Sequence, residues 1–366
     1  VAGSLMNSFF ENSAFVLVFL MSFGITLLVI PLAIWLSLRL DLTSTPGGRR
    51  RESRPMPKLG GLAVFVGFSV SVIAAQWLPV PRFDPNELVR LTGLLLGGGL
   101  IFVVGLLDDK YELNWFWQFV GQVGAAGVAI AFQIFIEYFN NPLTGSQTDP
   151  WPHLVTIALT MLWLVLMMNT VNFLDGLDGL AAGVALIAGL MLFINGAFRL
   201  VPPQISVSLL PLALVGTCTA FLLFNFHPAR IYLGGGALYL GFLLGTLSII
   251  GGAKMATILL VMGLPVMDLA WQAFSRLLQG RNPFAGDRGH LHFRLLDSGR
   301  LTHRQIVLIY YVFCSFFGGL TLFLESQLYK LVAFSVMLGL IVVVFALVTR
   351  FRAGHSEPSS SQLTSS

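Results

Sequence analysis

A succession of long apolar segments broken by short polar loops limits this chain to one kind of solution, because stretches of roughly 17–25 apolar residues match a hydrocarbon layer about 30 Å thick. Such segments fall at 13–38, 60–79, 91–107, 116–136, 151–170, 180–198, 207–224, 237–251, 254–274, 306–324 and 328–349. With 56% hydrophobic and 10% charged residues over 366 positions, the chain lies far from a soluble domain, where about a quarter of residues carry charge. The expected fold is an all-α integral membrane protein of about eleven transmembrane helices. It forms one multi-span domain over 13–350, with a lead-in at 1–12 that reads as a remnant and a polar, disordered tail at 351–366.

The polar residues alternate with these segments. The odd-numbered gaps, 39–59, 108–115, 169–179, 225–236 and 275–305, hold nearly all the Asp, Asn, His and Arg. About sixteen of the 21 Lys and Arg fall on that side or its tail, so the positive-inside rule makes it cytoplasmic, with the N-terminus outside. Basic residues beside membrane spans point to lipid headgroups or anionic substrates and away from nucleic acid, despite a pI near 9.3. Cys218 and Cys314 lie inside spans, which excludes a disulfide framework and a cysteine metal site.

Each odd loop carries its own chemistry. The third begins with Asp108 and Asp109 at the end of a span. Two such charges about 5 Å apart repel by roughly 3 kcal/mol at an effective dielectric near 20, so the pair calls for a cation or a shared proton. Solvated acids closing a helix are the plainer reading, but acids there oppose the helix dipole. The fifth loop reads Asn169-Thr-Val-Asn172-Phe-Leu-Asp175-Gly-Leu-Asp178-Gly179. If it is helical, Asp175 and Asp178 share a face, and the glycines admit a ligand or another backbone. Helix capping by Asn172 and Asp178 is the plainer alternative.

The ninth loop carries Arg281-Asn-Pro283-Phe284, then Asp287-Arg-Gly-His290-Leu-His292-Phe-Arg294. In an extended segment His290, His292 and Arg294 would project to one side and suit a diphosphate. His227 and His303 have no evident partner and read as structural or solvated. Asp268 sits inside the ninth segment after Pro265, where a carboxylate needs a partner or a cavity. The proline should bend that helix. Carboxylates, Asn, His and Arg gathered at a membrane surface point to phosphoryl transfer assisted by Mg²⁺ or Mn²⁺.

These motifs resemble a known family, the polyprenyl-phosphate N-acetylhexosamine-1-phosphate transferases. The resemblance rests on Pro46-Gly-Gly-Arg49, Pro55-Met-Pro57-Lys58-Leu-Gly60-Gly61, Gly105-Leu-Leu-Asp108-Asp109, the 169–179 motif, Asn225-Phe-His-Pro228, 234–241, Pro265-Val-Met-Asp268 and His290-Leu-His292-Phe-Arg294. It implies transfer of a sugar 1-phosphate from a UDP-N-acetylhexosamine to undecaprenyl phosphate in the bacterial inner membrane. Asp108 or Asp109 would then serve as base or positioning carboxylate. Asn172 and Asp175 would attend the metal, and Asp175 and Asp178 would shape the nucleotide-sugar pocket. His290, His292 and Arg294 would meet the diphosphate or sugar, Lys58 and Arg49 the lipid phosphate, and Asp268 and Asn225 the substrate pocket. Pairing with a second copy in the bilayer stays open.

The chain departs from the family pattern in places. Gly234-Gly235-Gly236-Ala237 stands where the family has Gly-Asp-x-Gly followed by Ser or Ala, one residue short, and the lost residue is a metal-binding Asp. Glu52 replaces a usual His, Gln118 a common Lys and Phe293 a frequent second His. The last is a trait of the MurNAc-pentapeptide branch, while Pro283-Phe284, Asp287 and Arg294 favour the GlcNAc branch. A silent relative that binds nucleotide sugar or lipid is the alternative, and a transporter a more distant one.

Overall fold

The computed structural model describes residues 2–44, 55–138, 140–144, 146–251, 255–280, 289–324 and 326–353. Helices occupy every one of the apolar segments: α1 (Ala2–Arg39), α2 (Gly60–Ala74), α3 (Glu87–Tyr111), α4 (Trp115–Ala131), α5 (His153–Leu174), α6 (Leu180–Ile194), α7 (Ile205–Asn225), α8 (Gly236–Ile250), α9 (Met255–Val261) with α10 (Gly263–Leu278), α12 (His303–Phe323) and α13 (Gln327–Ala353). A short helix, α11 (Leu291–Asp297), lies in the ninth loop. No strand occurs among the described residues, only two isolated bridges, Thr43 with Pro57 and Asn140 with Gln147.

Within the described residues eight helices are long and apolar enough to cross a membrane, and a ninth if α9 and α10 form one span. α4 has 17 residues and α8 only 15. At about 1.5 Å per residue α8 is roughly 22 Å long, short of the hydrocarbon thickness. Its position resolves the shortfall. Every α8 residue from Gly236 to Ile250 is buried, so this uniformly apolar helix is a central pillar that meets protein on all sides.

Small residues let the neighbours close on it. A Cβ on Gly241 would fall 2.5 Å from the Met167 carbonyl, and one on Gly245 would fall 2.9 Å from Leu164, so α5 and α8 touch nearly backbone to backbone. Across α8, Phe65 and Phe102 stack at 4.4 Å with Tyr239 edge-on at 5.3 Å from Phe65. The outer surface is apolar: Leu28, Leu154, Leu162, Leu223, Val312 and Phe316 are all exposed. Such a surface fits lipid and not water. Hydroxyls within the helices bond back to their own backbone, Thr26 to Ser22 at 2.7 Å and Thr246 to Phe242 at 2.7 Å, as a medium without water requires. The molecule is an all-helical integral membrane protein.

Sequence signals set several helix ends. Asn114 caps α4, its Oδ1 accepting from Phe116 N at 3.0 Å and Trp117 N at 3.2 Å. Thr302 and Gln305 form a capping box on α12. The expected bend in the ninth segment is a 74° break at Met262. Pro265 sits in the first turn of α10, where its missing N–H leaves no hydrogen bond unmade.

Candidate functional site

The odd-numbered loops meet at one end of the bundle. The first joins the seventh through a short ladder: Tyr232 N to Pro57 O at 2.8 Å, Gly60 N to Tyr232 O at 2.9 Å and Gly61 N to Leu233 O at 2.9 Å. The seventh joins the third where Gly235 N donates to Asp109 Oδ2 at 2.7 Å. It joins the fifth through Asn225, whose Oδ1 accepts from Gly179 N at 3.0 Å while its Nδ2 donates to Ile231 O at 2.9 Å. The fifth meets the ninth where the His292 ring lies over Gly176, close enough that a Cβ there would come within 2.3 Å of Nε2. The even-numbered side holds a separate network, in which buried Glu87 takes Arg82 and the Ser206 hydroxyl, and Arg90 pairs with Asp84 at 2.8 Å.

Asp108 and Asp109 occupy the last turn of α3, which Glu112 ends in a left-handed conformation at φ 50°. Asp108 accepts from Gln118 Nε2 at 2.8 Å. One turn along the same face of α4, Gln122 accepts from Asn169 Nδ2 at 2.6 Å. α4 thus ties the third loop to the fifth through two neutral amides. Asp109 lies within electrostatic reach of Asp108, Asp175 and Lys58. Three carboxyl groups thus gather about one ammonium.

The glycine triplet completes this wall. Gly234 has φ +59°, and a Cβ on it would lie 2.3 Å from the Lys58 carbonyl and 2.5 Å from Asp109 Oδ2. The loop therefore meets Asp109 with a backbone amide.

Beyond Leu174 the fifth loop is not helical, contrary to the expectation of a shared helix face. α5 ends at Leu174, Asp175 is its C-cap, and Gly179 at φ +82° begins α6. Asp175 lies within electrostatic reach of Asp109, whereas Asp178 Oδ2 pairs with His227 Nδ1 at 2.8 Å and accepts from Ala229 N at 3.2 Å. That oxygen of Asp178 thus ties the fifth loop to the seventh. Asn172 is half-buried in the last turn of α5. Asn225 is buried with both amide atoms engaged by backbone, so it clamps two loops together.

The ninth loop departs from the extended expectation only in part: His290 is extended, but His292 and Arg294 are helical. His290 precedes α11, and His292 and Arg294 belong to it. Asp268 reaches across from α10, its Oδ2 at 3.1 Å from His290 Nδ1 and its Oδ1 accepting from Leu291 N at 3.0 Å. This explains an acid inside an apolar segment: it anchors the start of α11. His290 Nε2 is buried and has no hydrogen-bond partner among the described residues, with Phe173 packed 4.9 Å away. The Arg294 Nε donates to the Gly289 carbonyl. Arg49 and the 281–288 motif lie outside the described residues.

One group escaped the sequence reading. His227 and His303 stack at 4.2 Å beside Asp178, and the three offer ligand atoms within 4.8 Å of one another.

For a hard divalent ion, the fitting donors are Asp108, Asp109 and Asp175, carboxyl groups that offer oxygen ligands within electrostatic reach of one another. A multi-pass helical protein with clustered carboxylates, a lysine and histidines at one end of its bundle belongs to the class of membrane-embedded phosphoryl-transfer proteins. Residues 91–252 match the model of glycosyl transferase family 4. The chain is 30% identical to the probable undecaprenyl-phosphate N-acetylglucosaminyl 1-phosphate transferase of Bacillus subtilis, covering 85% of each. It is 32% identical to the decaprenyl-phosphate N-acetylglucosaminephosphotransferase of Mycobacterium tuberculosis, over 87% of this chain and 85% of that protein. It is also 30% identical to the phospho-N-acetylmuramoyl-pentapeptide-transferase of Acetivibrio thermocellus, over 79% of this chain and 90% of the other. The chain belongs to the polyprenyl-phosphate N-acetylhexosamine-1-phosphate transferase family.

Proposed function

We propose that this protein transfers an N-acetylhexosamine 1-phosphate, GlcNAc 1-phosphate foremost, from its UDP-sugar to undecaprenyl phosphate and releases UMP. The reaction would open a bacterial envelope glycan at the cytoplasmic face of the inner membrane. The observation that carries this reading is the gathering of Asp108, Asp109, Asp175 and Lys58 where three odd loops meet. The names of the Bacillus and mycobacterial relatives support the GlcNAc branch.

In this scheme Lys58 holds the lipid phosphate and Asp108, oriented by Gln118, positions or deprotonates it. A lipid phosphate oxygen attacks the sugar-linked phosphorus, and the bond to UMP breaks. Asp109, fixed by the Gly235 amide, keeps the carboxylates in register. Asp268 fixes the His290 ring through Nδ1, which would leave Nε2 as the group to meet the diphosphate. Mg²⁺ or Mn²⁺ held by Asp108, Asp109 and Asp175, with Asn172 nearby, would offset charge on the leaving group.

A second reading, a member that binds nucleotide sugar or lipid without turnover, draws on the glycine triplet, which meets Asp109 with an amide and not an acid. Transfer of isotope-labelled sugar phosphate to lipid, across several UDP-sugars and with or without Mg²⁺, separates the two. The transferase reading predicts metal-dependent lipid product. Binding without product at any metal concentration supports the silent member.

A further inference from the structure

We infer that Asp178, His227 and His303 form a site for a transition-metal ion of the zinc class, separate from the oxygen-only group around Asp109. The three come from different elements: the turn between α5 and α6, the loop after α7, and the first residue of α12. Their candidate ligand atoms already lie within 4.8 Å of one another, and His227 Nδ1 stands 2.8 Å from Asp178 Oδ2. In a tetrahedral zinc site with bonds of 2.0–2.1 Å, neighbouring ligand atoms stand about 3.3 Å apart. Closing on an ion therefore needs shifts of about 1 Å, with water completing the coordination.

The stacked rings set the one rearrangement required. A metal lies in the plane of each imidazole that binds it, and two rings 15° from parallel at 4.2 Å cannot direct their lone pairs to one point. One ring must turn. The histidine χ2 torsion is soft, and the His227 side chain is 39% exposed, which leaves it room. Arg304 is occupied with the His227 carbonyl at 3.0 Å and does not enter the ligand set. Two imidazoles with one carboxylate select zinc-like ions over Mg²⁺, which takes oxygen ligands. The bound ion would tie the Asp178 turn to α12 and to the seventh loop. This inference does not depend on the transferase reading, because its readout is binding.

The test uses the full chain in detergent micelles with any affinity tag removed, titrated with CoCl₂. The expected result is the visible d–d band of four-coordinate Co²⁺, abolished by one equivalent of ZnCl₂ and untouched by excess MgCl₂. In chelator competition, His303→Ala and His227→Gln should each hold Zn²⁺ at least about tenfold more weakly. On the unaltered chain, ZnCl₂ should shield both His227 and His303 from diethyl pyrocarbonate, read by mass spectrometry. No band, a variant that binds Zn²⁺ as tightly as the parent, or unshielded histidines would each overturn the inference.

Discussion

Gly235→Ala probes how closely the seventh loop must seat on α3. Gly235 has φ −57°, which any residue adopts, so the effect of a methyl group is contact alone. That methyl would lie 2.2 Å from both the carbonyl carbon and oxygen of Gly105, and 2.4 Å from its Cα. Backbone cannot swing aside as a side chain can. Restoring ordinary contact near 3.5 Å moves the loop by about 1 Å. The Gly235 N–H to Asp109 bond, now 2.7 Å, then stretches beyond hydrogen-bonding range. Losing a bond to a charged acceptor costs about 1.5–3 kcal/mol, and overpacking adds about 1–3 kcal/mol. Thermal unfolding in micelles should shift down by several degrees. Because about 1 Å of misplacement at a reacting group costs on the order of 100-fold, lipid-product formation should fall by about that factor. Gly127→Ala, whose methyl meets nothing within 4 Å, is the control and should change neither. Turnover within twofold of the parent and an unshifted transition in Gly235→Ala would refute the claim that this amide positions Asp109.

Three further outcomes follow from the same geometry. Asp268→Asn keeps an acceptor for Leu291 N but loses the charge facing His290, both groups being buried. Transfer should drop about 10–100-fold, with a raised KM for the UDP-sugar, measured by steady-state kinetics. Asn225→Ala strands the Gly179 N–H and the Ile231 carbonyl, and should lower stability by about 2–4 kcal/mol in denaturation assays, more than it impairs sugar-nucleotide binding. Inserting Asp between Gly234 and Gly235 should tighten Mg²⁺ dependence and raise turnover once the loop opens. Equal activity with and without the insertion would show that the glycine triplet is no lesion.

The helices were plain in the sequence because apolar runs in a membrane leave the backbone no other way to satisfy itself. The loop register was equally legible, and contacts among Pro57, Asp109, Gly179, Asn225 and His292 bring the odd loops together. Local geometry was harder to read. Three-residue spacing put Asp175 and Asp178 on one helix face, yet α5 stops at Leu174 and α6 starts only after Gly179, and Asp178 pairs with His227. Alternation made His290, His292 and Arg294 look like one extended run; His290 is extended and held by Asp268, but α11 begins straight after it and seats His292 against Gly176. The burial of the short α8 on all sides was not legible, because hydropathy does not distinguish lipid from a protein interior. His227 and His303 were passed over since 49 residues separate His227 from Asp178 and only tertiary packing stacks the two rings.

Side-specific labelling addresses the claim beneath all of this, that the odd loops share one membrane face. Single cysteines in place of exposed Lys110, Arg230 and Ser298, and of Leu143 and Val201 at the other end, would be introduced with Cys218 and Cys314 buried in the background. Oriented vesicles are then treated with an impermeant maleimide. The first three should react from the cytoplasmic side alone and the last two only from the opposite side. If Lys110, Arg230 or Ser298 labels together with Leu143 and Val201, the loops do not converge and the transferase site has no basis.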